Sequence, residues 1–581
     1  MATDTFSFLK KLVFPLPGRV FIMYNYYIIF LRMEESMMRK TFKHTKPLII
    51  SLLAISVFTA GCQDTKKKDT SQDSGTTEAP EDTSLFTIKD GEAIITKSTG
   101  HNPVCGGNGT GDYIYGGDPS VLTDGDTVYL YTGHDISTDN EVSRAVYNIP
   151  EYLCYSSGDM VNWKKEGTVF TLDTNSVGWA RDSSSAWASQ VIKYKDKYYL
   201  YFCTWDKTSL GKQSIGVAVS DSPAGGFKDT GKPLVQGTLT TPENSAWDDI
   251  DPTVWISTDG NGEEHRYLAW GNSKFYICEL NEDMVSVKDL NGDGKITCGA
   301  KGEDADIINN QEGLDFFTEA PWLYQRQDGD GNYYGKYYLF YAYGWRERMA
   351  YAVADDPLDG PWEFGQILML PTATSNTNHM AVFDFKGKTY FVYHNGSLPG
   401  GNGYRRSPCI TELKFNDDGS INPIPETAAG INGTVYKIAL KDGKEVSHDF
   451  FVNSSGDNEY PYLDIKTGAG LGMNKDNEWV ITAGKADTGN EAYVSIQSEN
   501  KPGLYLTANE TGTITLAQDA DASEETATKQ TFHSVKGLDG EDGVSFESVS
   551  QPGKYISVKD GVLCLSDGND AANSTFYISK Q

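Results

Sequence analysis

The sequence predicts an all-β protein, with a five-bladed β-propeller followed by a smaller β domain. Three observations support this fold class. Aromatic residues make up 12% of the 581 residues, and 59 residues are glycine, a composition that favours strands and turns over helices. From about residue 100, short aromatic and β-branched runs alternate with Gly and Asp turns. A pattern of about 65 residues then recurs five times and stops near residue 430.

The N-terminal 62 residues read as a signal region. Four basic residues between 39 and 46 precede an apolar run at 48–60, and Gly61-Cys62 follows. This layout is typical of a secretory signal, and it resembles a bacterial lipoprotein signal in which Cys62 is lipidated after cleavage. Met37 or Met38 is an alternative start. We therefore expect a secreted protein on a bacterial cell surface, lipid-anchored through Cys62, with residues 63–84 as a polar linker. An ordinary signal peptide with an incidental cysteine is the alternative.

Charge and cysteine content exclude several classes of function. The net charge is −30, and such an acidic surface repels phosphate backbones, so we expect no nucleic-acid partner. The eight cysteines form no CxxC pair, so no zinc or thioredoxin-type motif is present, and most are expected to be buried apolar residues. Membrane contact is expected only through the lipid anchor, and the protein is expected to be a monomer.

Each of the five repeats opens with one distinctive side chain. A small residue or proline follows, then a short apolar strand, a Gly/Asp turn and an aromatic strand. A unit of this length with about four strands is typical of a propeller blade, which predicts a five-bladed propeller over residues 85–430. If the first strand of each blade lines the axis, the opening residues converge at one end of the channel. They are Asp118, Trp187, Asp251, Glu319 and His379.

Three carboxyl groups around one axis point to glycoside hydrolysis. That reaction needs a carboxylic acid to protonate the leaving oxygen and a carboxylate on the other face of the sugar. Glu319 lies among Phe and Trp residues, which predicts a raised pKa and an acid that stays protonated. Asp118 follows two glycines, which predicts an open, polar setting suited to a base. Asp251 adds a third charge that would raise the pKa of Glu319, and Trp187 offers a flat face for a sugar.

The repeats resemble glycoside hydrolase family 43, whose members are inverting enzymes on a five-bladed propeller. The resemblance rests on GGDPSVL, WASQV, DIDPTVW, TEAPWLY, NTNHMAV and GYRRS. It implies Asp118 as general base, Asp251 as pKa modulator and Glu319 as general acid. It also implies a substrate-binding arginine, which we place at Arg405 rather than Arg406, and His379 as a candidate residue for a calcium site. Five-bladed fructan enzymes resemble the chain less, because their Arg-Asp-Pro and Glu-Cys signatures are absent.

Residues 289–300 form an insertion in the third blade. They resemble the first half of an EF-hand loop, but Ala300 stands where the bidentate glutamate belongs. Calcium binding through a different last ligand, Glu303 or Asp304, is one interpretation. A solvated insertion without calcium is the favoured one.

The C-terminal region, residues 431–581, contains a second internal repeat. VSIQSENKPGLYL begins at Val494 and VSFESVSQPGKYI at Val544, and a Thr-Phe pair follows each segment. This repeat resembles the arabinose-binding β-trefoil appended to some arabinofuranosidases. A trefoil needs three units, and the sequence shows only two. A small β domain that packs on the propeller without binding sugar is the alternative.

Taken together, these features predict an inverting, exo-acting hydrolase that removes pentose units from plant cell-wall polysaccharide. An α-L-arabinofuranosidase acting on arabinoxylan or arabinan is favoured, because the C-terminal resemblance points to arabinose. The alternatives are a β-xylosidase, an endo-arabinanase and a non-catalytic surface propeller that binds carbohydrate. No cofactor is expected to be required, and Ca²⁺ is a candidate structural ion.

Overall fold

The computed structural model describes residues 85–107, 113–241, 247–309, 311–375, 377–447 and 475–581. The signal region and the linker at 63–84 lie outside these ranges, so the predictions made for them remain predictions. Within the described ranges, no helix has both the length and the apolar character needed to cross a membrane.

The chain opens with a hairpin and then forms five successive antiparallel sheets. The hairpin is β1 (Phe86–Lys89) and β2 (Glu92–Ile95). The first two blades are β3 (Gly116–Asp124), β4 (Thr127–His134), β5 (Glu151–Ser157) and β6 (Lys164–Thr171), then β7 (Gln190–Tyr194), β8 (Lys197–Trp205), β9 (Gln213–Ser220) and β10 (Lys228–Asp229). Two short helices lie in these blades, α1 (Asp139–Ser143) after β4 and α2 (Gly237–Thr240) after β10.

The remaining three blades follow in chain order. The third is β11 (Thr253–Thr258), β12 (Glu264–Trp270), β13 (Tyr276–Glu279), β14 (Cys298–Ala300) and β15 (Ile307–Asn309). The fourth is β16 (Phe317–Gln327), β17 (Tyr333–Tyr343), β18 (Arg348–Ala354) and β19 (Glu363–Met369). The fifth is β20 (Met380–Phe385), β21 (Lys388–Asn395) and β22 (Ser407–Leu413).

The five sheets close into the predicted five-bladed propeller. The first strands of the blades, β3, β7, β11, β16 and β20, each contact the next one around the ring, and β20 contacts β3. Apolar side chains from neighbouring blades share one core, as Val121, Trp322 and Val382 do. The indole N–H of Trp322 also donates to the Val382 carbonyl at 2.9 Å. The first strands therefore line one axis, as the repeat pattern predicted.

Two blades depart from the expected four strands. In the third blade, the insertion adds β14, which pairs with β15 in parallel at the outer edge of the sheet. In the fifth blade, which has three strands, the segment before β3 lies along the outer edge. There Val104 N–H donates to the Pro408 carbonyl at 3.0 Å, and the Asn102 side chain exchanges hydrogen bonds with the backbone of Ile410. This segment helps to join the two ends of the ring.

The C-terminal domain is a closed β-barrel with attached hairpins. Its strands are β23 (Tyr436–Ala439), β24 (Trp479–Ala483), β25 (Tyr493–Ser498), β26 (Leu504–Ala508), β27 (Ile514–Gln518), β28 (Phe532–Lys536), β29 (Val544–Ser548), β30 (Tyr555–Lys559), β31 (Val562–Ser566) and β32 (Tyr577–Lys580). A helix, α3 (Glu524–Lys529), and a 3-10 turn (Ala571–Asn573) precede β28 and β32. The ladder runs β32-β23-β24-β25-β28-β29, and a bridge between Val544 and Phe576 closes it.

The two sequence repeats of this domain are structurally equivalent. Each begins with a barrel strand, β25 or β29, and continues into a hairpin, β26–β27 or β30–β31. Each then reaches a short helical turn before its Thr-Phe pair. The segment 448–474, where a third hairpin would fall, lies outside the described residues. The domain agrees with the predicted β-trefoil type.

The N-terminal hairpin belongs to this C-terminal domain and not to the propeller. Glu92 pairs with Val535 across β2 and β28, and Ala93 and Ile95 are buried in the C-terminal core. The predicted boundary at residue 85 was therefore wrong for the first strands. The alternating apolar side chains of β2 find their buried face against the barrel, whereas no blade offers them a partner strand.

The described cysteines behave as the sequence predicted. All seven are free thiols, and five of them are buried: Cys105, Cys154, Cys203, Cys278 and Cys409. They contribute apolar volume to the propeller and no cross-link.

Candidate active site

The carboxyl-bearing strands share an unusual backbone bend. Asp118, Asp251 and Ala320 each precede a proline and have positive φ angles of 51°, 60° and 56°. Such angles are uncommon for residues other than glycine and concentrate at functional sites. In the fourth blade the equivalent residue is thus Ala320, and Glu319 precedes it by one position. The register of β16 shifts on both sides of Glu319, which presents this side chain at the site.

Asp118 is held by a buried arginine. Arg406 Nη1 lies 2.6 Å from Asp118 Oδ1, and Nη2 lies 3.0 Å from Oδ2. The same guanidinium donates to Asp135 through Nε and Nη2 at 2.8 and 3.0 Å. The Arg406 side chain is only 2% exposed. One cation therefore bridges two carboxylates, and the planar fork of arginine suits this double bidentate contact.

Gly117, directly before Asp118, makes room for this arginine. A Cβ on Gly117 would overlap the Arg406 guanidinium. The Asp118 side chain is 13% exposed, so the expected open setting was wrong. Burial raises the pKa of Asp118, but the positive charge of Arg406 outweighs it and leaves the pKa below its ordinary value. Asp118 is therefore an ionised carboxylate, as a base must be, for a different physical reason than predicted.

Arg405, the predicted substrate-binding arginine, points elsewhere. Its Nε donates to the Ser137 carbonyl at 2.8 Å, and its Nη2 contacts the Asp139 carboxylate in α1. Neighbouring residues at the start of a strand face opposite ways, so only Arg406 faces Asp118. The arginine that pairs with Asp118 is Arg406, and the assignment of Arg405 to substrate binding stays a prediction.

Glu319 lies in a polar pocket within the site. Its Oε2 accepts a hydrogen bond from Asn272 Nδ2 at 2.6 Å, and its carboxyl is hydrogen-bonded to that of Glu347. Burial raises the pKa of Glu319, and the negative charge of Asp118 raises it further. The predicted direction of the shift is confirmed. The causes are burial and a like charge. Of the expected apolar neighbours, Phe317 and Trp322 are buried and Phe316 is largely exposed.

Asp251 is the most buried of the three carboxyl-bearing residues. It is 5% exposed, and its Oδ2 accepts a hydrogen bond from the backbone N–H of Ala320 at 3.0 Å. Burial raises its pKa well above the ordinary value, and the charges of Glu319 and Asp118 add to the effect. Its contact with the residue next to Glu319 ties the third blade to the fourth.

Glu347 is a site residue that the sequence did not reveal. It is 1% exposed, its Oε2 accepts a hydrogen bond from Asn378 N–H at 2.7 Å, and its carboxyl contacts that of Glu319. Burial and the neighbouring carboxylate raise its pKa well above the ordinary value. It follows the arginine in the segment GWRER, a pattern that indicates exposed surface. Two adjoining buried carboxyls favour holding one proton between them.

Two buried histidines complete the surroundings of Asp118. His379 Nδ1 and His394 Nδ1 lie 3.9 and 3.7 Å from Asp118 Oδ1, and Asp118 N–H donates to His394 Nδ1 at 3.0 Å. Burial lowers their pKa values to about 4 and about 3, so both rings are neutral at pH 7. The ring of His379 therefore adds a polar but uncharged wall to the site.

The surroundings of His379 contain one nearby carboxylate, that of Asp118. Ca²⁺ takes six to eight oxygen ligands, whereas the nearest carboxylate, Asp118, is already bound by Arg406. Among the described residues, one group of three side chains could hold a metal ion, and it does not include His379. The group is Asp259, Glu263 and His265. The assignment of His379 as a calcium residue stays a prediction.

Trp187 begins an aromatic row in the second blade. Its ring meets Trp205 edge-on at 5.9 Å, and Trp205 meets the half-exposed Trp247 at 6.2 Å. The buried indole N–H of Trp187 has no hydrogen-bond partner among the described residues. Trp187 therefore lies at the start of an aromatic row, and its role in substrate binding stays a prediction.

The insertion at 289–300 is closed by its own hydrogen bonds. Asp289 accepts from Gly292 N–H and Gly294 N–H at 2.7 and 2.8 Å, and buried Asp306 accepts from Leu290 N–H and Thr297 N–H. Calcium binding through Glu303 or Asp304 stays a prediction.

Comparison with protein families identifies the chain. The model for glycosyl hydrolases family 43 matches residues 112–421, which is the propeller with all three carboxyls. The chain belongs to glycosyl hydrolase family 43. The hydrolase also matches the alpha-L-arabinofuranosidase B domain over residues 447–578, which confirms the expected kind of C-terminal domain. Family 43 enzymes require no cofactor.

Known relatives share about half of the hydrolase. A xylosidase/arabinosidase of Bacteroides ovatus is 29% identical over 344 residues, which cover 54% of this chain and 94% of the relative. An arabinoxylan arabinofuranohydrolase of Paenibacillus polymyxa is 30% identical over 351 residues, covering 55% of this chain and about half, 52%, of the relative. A solved beta-xylosidase/alpha-arabinofuranosidase from a compost metagenome, in complex with xylotriose, is 27% identical with a TM-score of 0.43, covering 56% of this chain and 98% of that one.

Proposed function

We propose that the hydrolase is an inverting, exo-acting α-L-arabinofuranosidase that removes arabinose from arabinoxylan or arabinan. The observation that carries the proposal is the opposed ionisation of two carboxyls: the pKa of Asp118 is lowered by Arg406, and that of Glu319 is raised by burial. An ionised carboxylate and a protonated acid are what glycoside hydrolysis requires. The inverting course of the reaction rests on the resemblance to the family.

In the proposed mechanism, the Asp118 carboxylate removes a proton from a water molecule. The water oxygen attacks the anomeric carbon from the face opposite the leaving group, so one C–O bond forms as the glycosidic C–O bond breaks. Glu319 gives its proton to the departing oxygen. The sugar leaves with inverted configuration, Asp118 ends protonated and Glu319 ionised, and one proton exchange with solvent resets both groups.

The other buried groups act on these two. Arg406 keeps Asp118 ionised, and Asp251 holds the backbone at Ala320 beside the acid. Glu347 shares a proton with Glu319 and so keeps a proton available where the leaving oxygen needs it. The site carboxyls outnumber the single positive charge of Arg406, so ionising all of them together would be unfavourable.

The choice of arabinose rests on relatives and on the second domain. Both curated relatives above carry arabinose in their names, and the C-terminal domain matches one named for an arabinofuranosidase. Trp187, at the start of the aromatic row, supplies an aromatic face for the sugar. A β-xylosidase is the second candidate, because the relative from Bacteroides ovatus is named for both activities.

Side-by-side hydrolysis of two aryl glycosides tests the substrate. The 4-nitrophenyl α-L-arabinofuranoside should be cleaved with a kcat/KM about 10-fold or more above that of the β-D-xylopyranoside, because a pocket shaped for one pentose leaves polar groups unpaired with the other. Proton NMR at early times should show the inverted anomer first. A higher kcat/KM for the xyloside would favour the β-xylosidase. A retained first product would contradict the inverting mechanism, and inactivity on both sugars and on arabinan would favour a binding propeller.

We also propose that the hydrolase is anchored to a bacterial cell surface through Cys62. The support is the sequence alone: the basic segment, the apolar run, Gly61-Cys62 and the polar linker. Cys62→Ser should move the protein from the membrane fraction to the soluble extracellular or periplasmic fraction of a bacterial host, as judged by fractionation and immunoblotting. Cys105→Ser, which changes a buried propeller cysteine, serves as the control. Equal membrane retention of the Cys62 variant would refute the anchor.

A further inference from the structure

The loop that joins β21 to β22 is held directly by the C-terminal domain. This loop spans residues 396–406. Gln518, at the end of β27, donates through Nε2 to the carbonyls of Gly396 and Gly401 at 2.8 and 2.9 Å. The N–H of Gly400 donates to the Asp519 carbonyl at 2.8 Å. One side-chain amide thus fastens both ends of the turn 396–401.

The contact leaves no space between the domain and the loop. A Cβ on Gly503 would lie 2.7 Å from Ser397 Cα, so the two backbones pack against each other directly. Ser397 and Leu398 are buried. On the propeller side, Tyr115 Oη donates to the Pro399 carbonyl at 2.7 Å. The turn is therefore fixed from two sides, one of them in each domain.

The other end of the loop enters the catalytic centre. Tyr147 Oη donates to the Gly403 carbonyl at 3.1 Å, and the Tyr147 and Tyr404 rings lie 4.6 Å apart. Arg406, the last residue of the loop, accepts a hydrogen bond from Gly116 N–H at 2.6 Å and forms the bidentate pair with Asp118. Only four residues separate Gly401, which Gln518 holds, from Arg406.

We propose that the C-terminal domain is part of the catalytic unit: through Gln518 it fixes the loop that delivers Arg406 to Asp118. Gln518 is then a positioning residue for hydrolysis, independent of any sugar that the domain binds. The proposal rests on the assignment of Asp118 as the base. It gives the appended domain a role even on substrates too small to reach it.

The test uses the full chain with Gln518→Met, which keeps the side-chain length and removes both donated hydrogen bonds. On the 4-nitrophenyl arabinofuranoside, we expect kcat to fall about 10-fold with a smaller change in KM, because a small displacement of a catalytic group has a large effect on rate. The acidic limb of the pH profile should move to higher pH, since Asp118 loses part of the stabilisation by Arg406. Hydrogen exchange of residues 396–406 should become faster.

Gln551→Met is the matched control. Gln551 donates to the Asn509 carbonyl at 2.8 Å, inside the C-terminal domain. The control should keep the wild-type kcat, acidic limb and loop exchange. Equal behaviour of both variants would overturn the proposal, and so would a lower melting temperature of Gln518→Met with an unmoved acidic limb. If the wild type cleaves neither glycoside, the proposed function fails, and the exchange of the loop still decides whether Gln518 holds it.

Discussion

Glu319→Ala should lose far more activity on a natural arabino-oligosaccharide than on an aryl arabinofuranoside. A general acid contributes about 10²–10⁴-fold to the rate when the leaving group is a poorly stabilised alkoxide. A 4-nitrophenolate departs with little protonation, so the loss on the aryl substrate should be smaller by about 10-fold or more. The measurement is kcat on both substrates for the variant and the wild type.

Glu363→Ala provides the control for the acid. Glu363 lies on β19 of the same blade and forms an exposed ion pair with Lys336 at 3.2 Å, so its loss should leave both rates unchanged. Equal impairment of Glu319→Ala on the two substrates would reassign the acid. Glu347, which contacts Glu319 and is buried, would then be the next group to test.

Asp118→Ala should be almost inactive on both substrates. The base activates the water, and no leaving group replaces that step, so kcat should fall about 10²–10⁴-fold in each case. Sodium azide should restore part of the turnover on the aryl substrate, because azide attacks without losing a proton. The product should be a glycosyl azide of inverted configuration, identified by NMR and mass spectrometry.

Two further variants make this result interpretable. Asp118→Asn keeps the shape of the side chain and a partner for Arg406, so it separates loss of the base from loss of folding. Asp124→Ala, at the far end of β3, removes a partly exposed pair with Lys193 and should retain activity. Azide rescue of Glu319→Ala in place of Asp118→Ala would mean that the two roles are reversed.

The propeller was predictable because every blade has the same packing requirement and therefore the same sequence pattern. Each blade must bury one aromatic strand between apolar neighbours, so the same pattern recurs at Asp118, Asp251 and Glu319. The placement of the β1–β2 hairpin was not predictable, because pairing between Glu92 and Val535 has no local signal. The extra strand β14 was likewise not predictable, since it is three residues long and pairs only with β15, in parallel.

The residues of the candidate site also fall into those that the sequence could identify and those that it could not. Asp118 and Asp251 were identified by their Asp-Pro repeats, and Glu319 by its place in the fourth repeat. The sequence could not distinguish Arg406 from Arg405, because their side chains point to opposite sides at the start of β22 and the sequence does not show which side meets Asp118. Asp135, His394 and Glu347 come from second strands and loops, outside the repeated positions, and only the closed ring brings them to Asp118 and Glu319.

The pairing of β2 with β28 has a consequence for how the molecule is completed. The chain leaves the C-terminal domain after Ser98, whose N–H donates to the Ile481 carbonyl, builds the whole propeller and returns. Two paired strands of one domain are thus separated by more than 400 residues. Closing so long a loop has an entropic cost, and it is small only when the intervening chain is already compact. Ala93 and Ile95 therefore stay exposed until the last domain has been made. Resistance to protease near residue 96 should therefore appear only after the last strands have been synthesised.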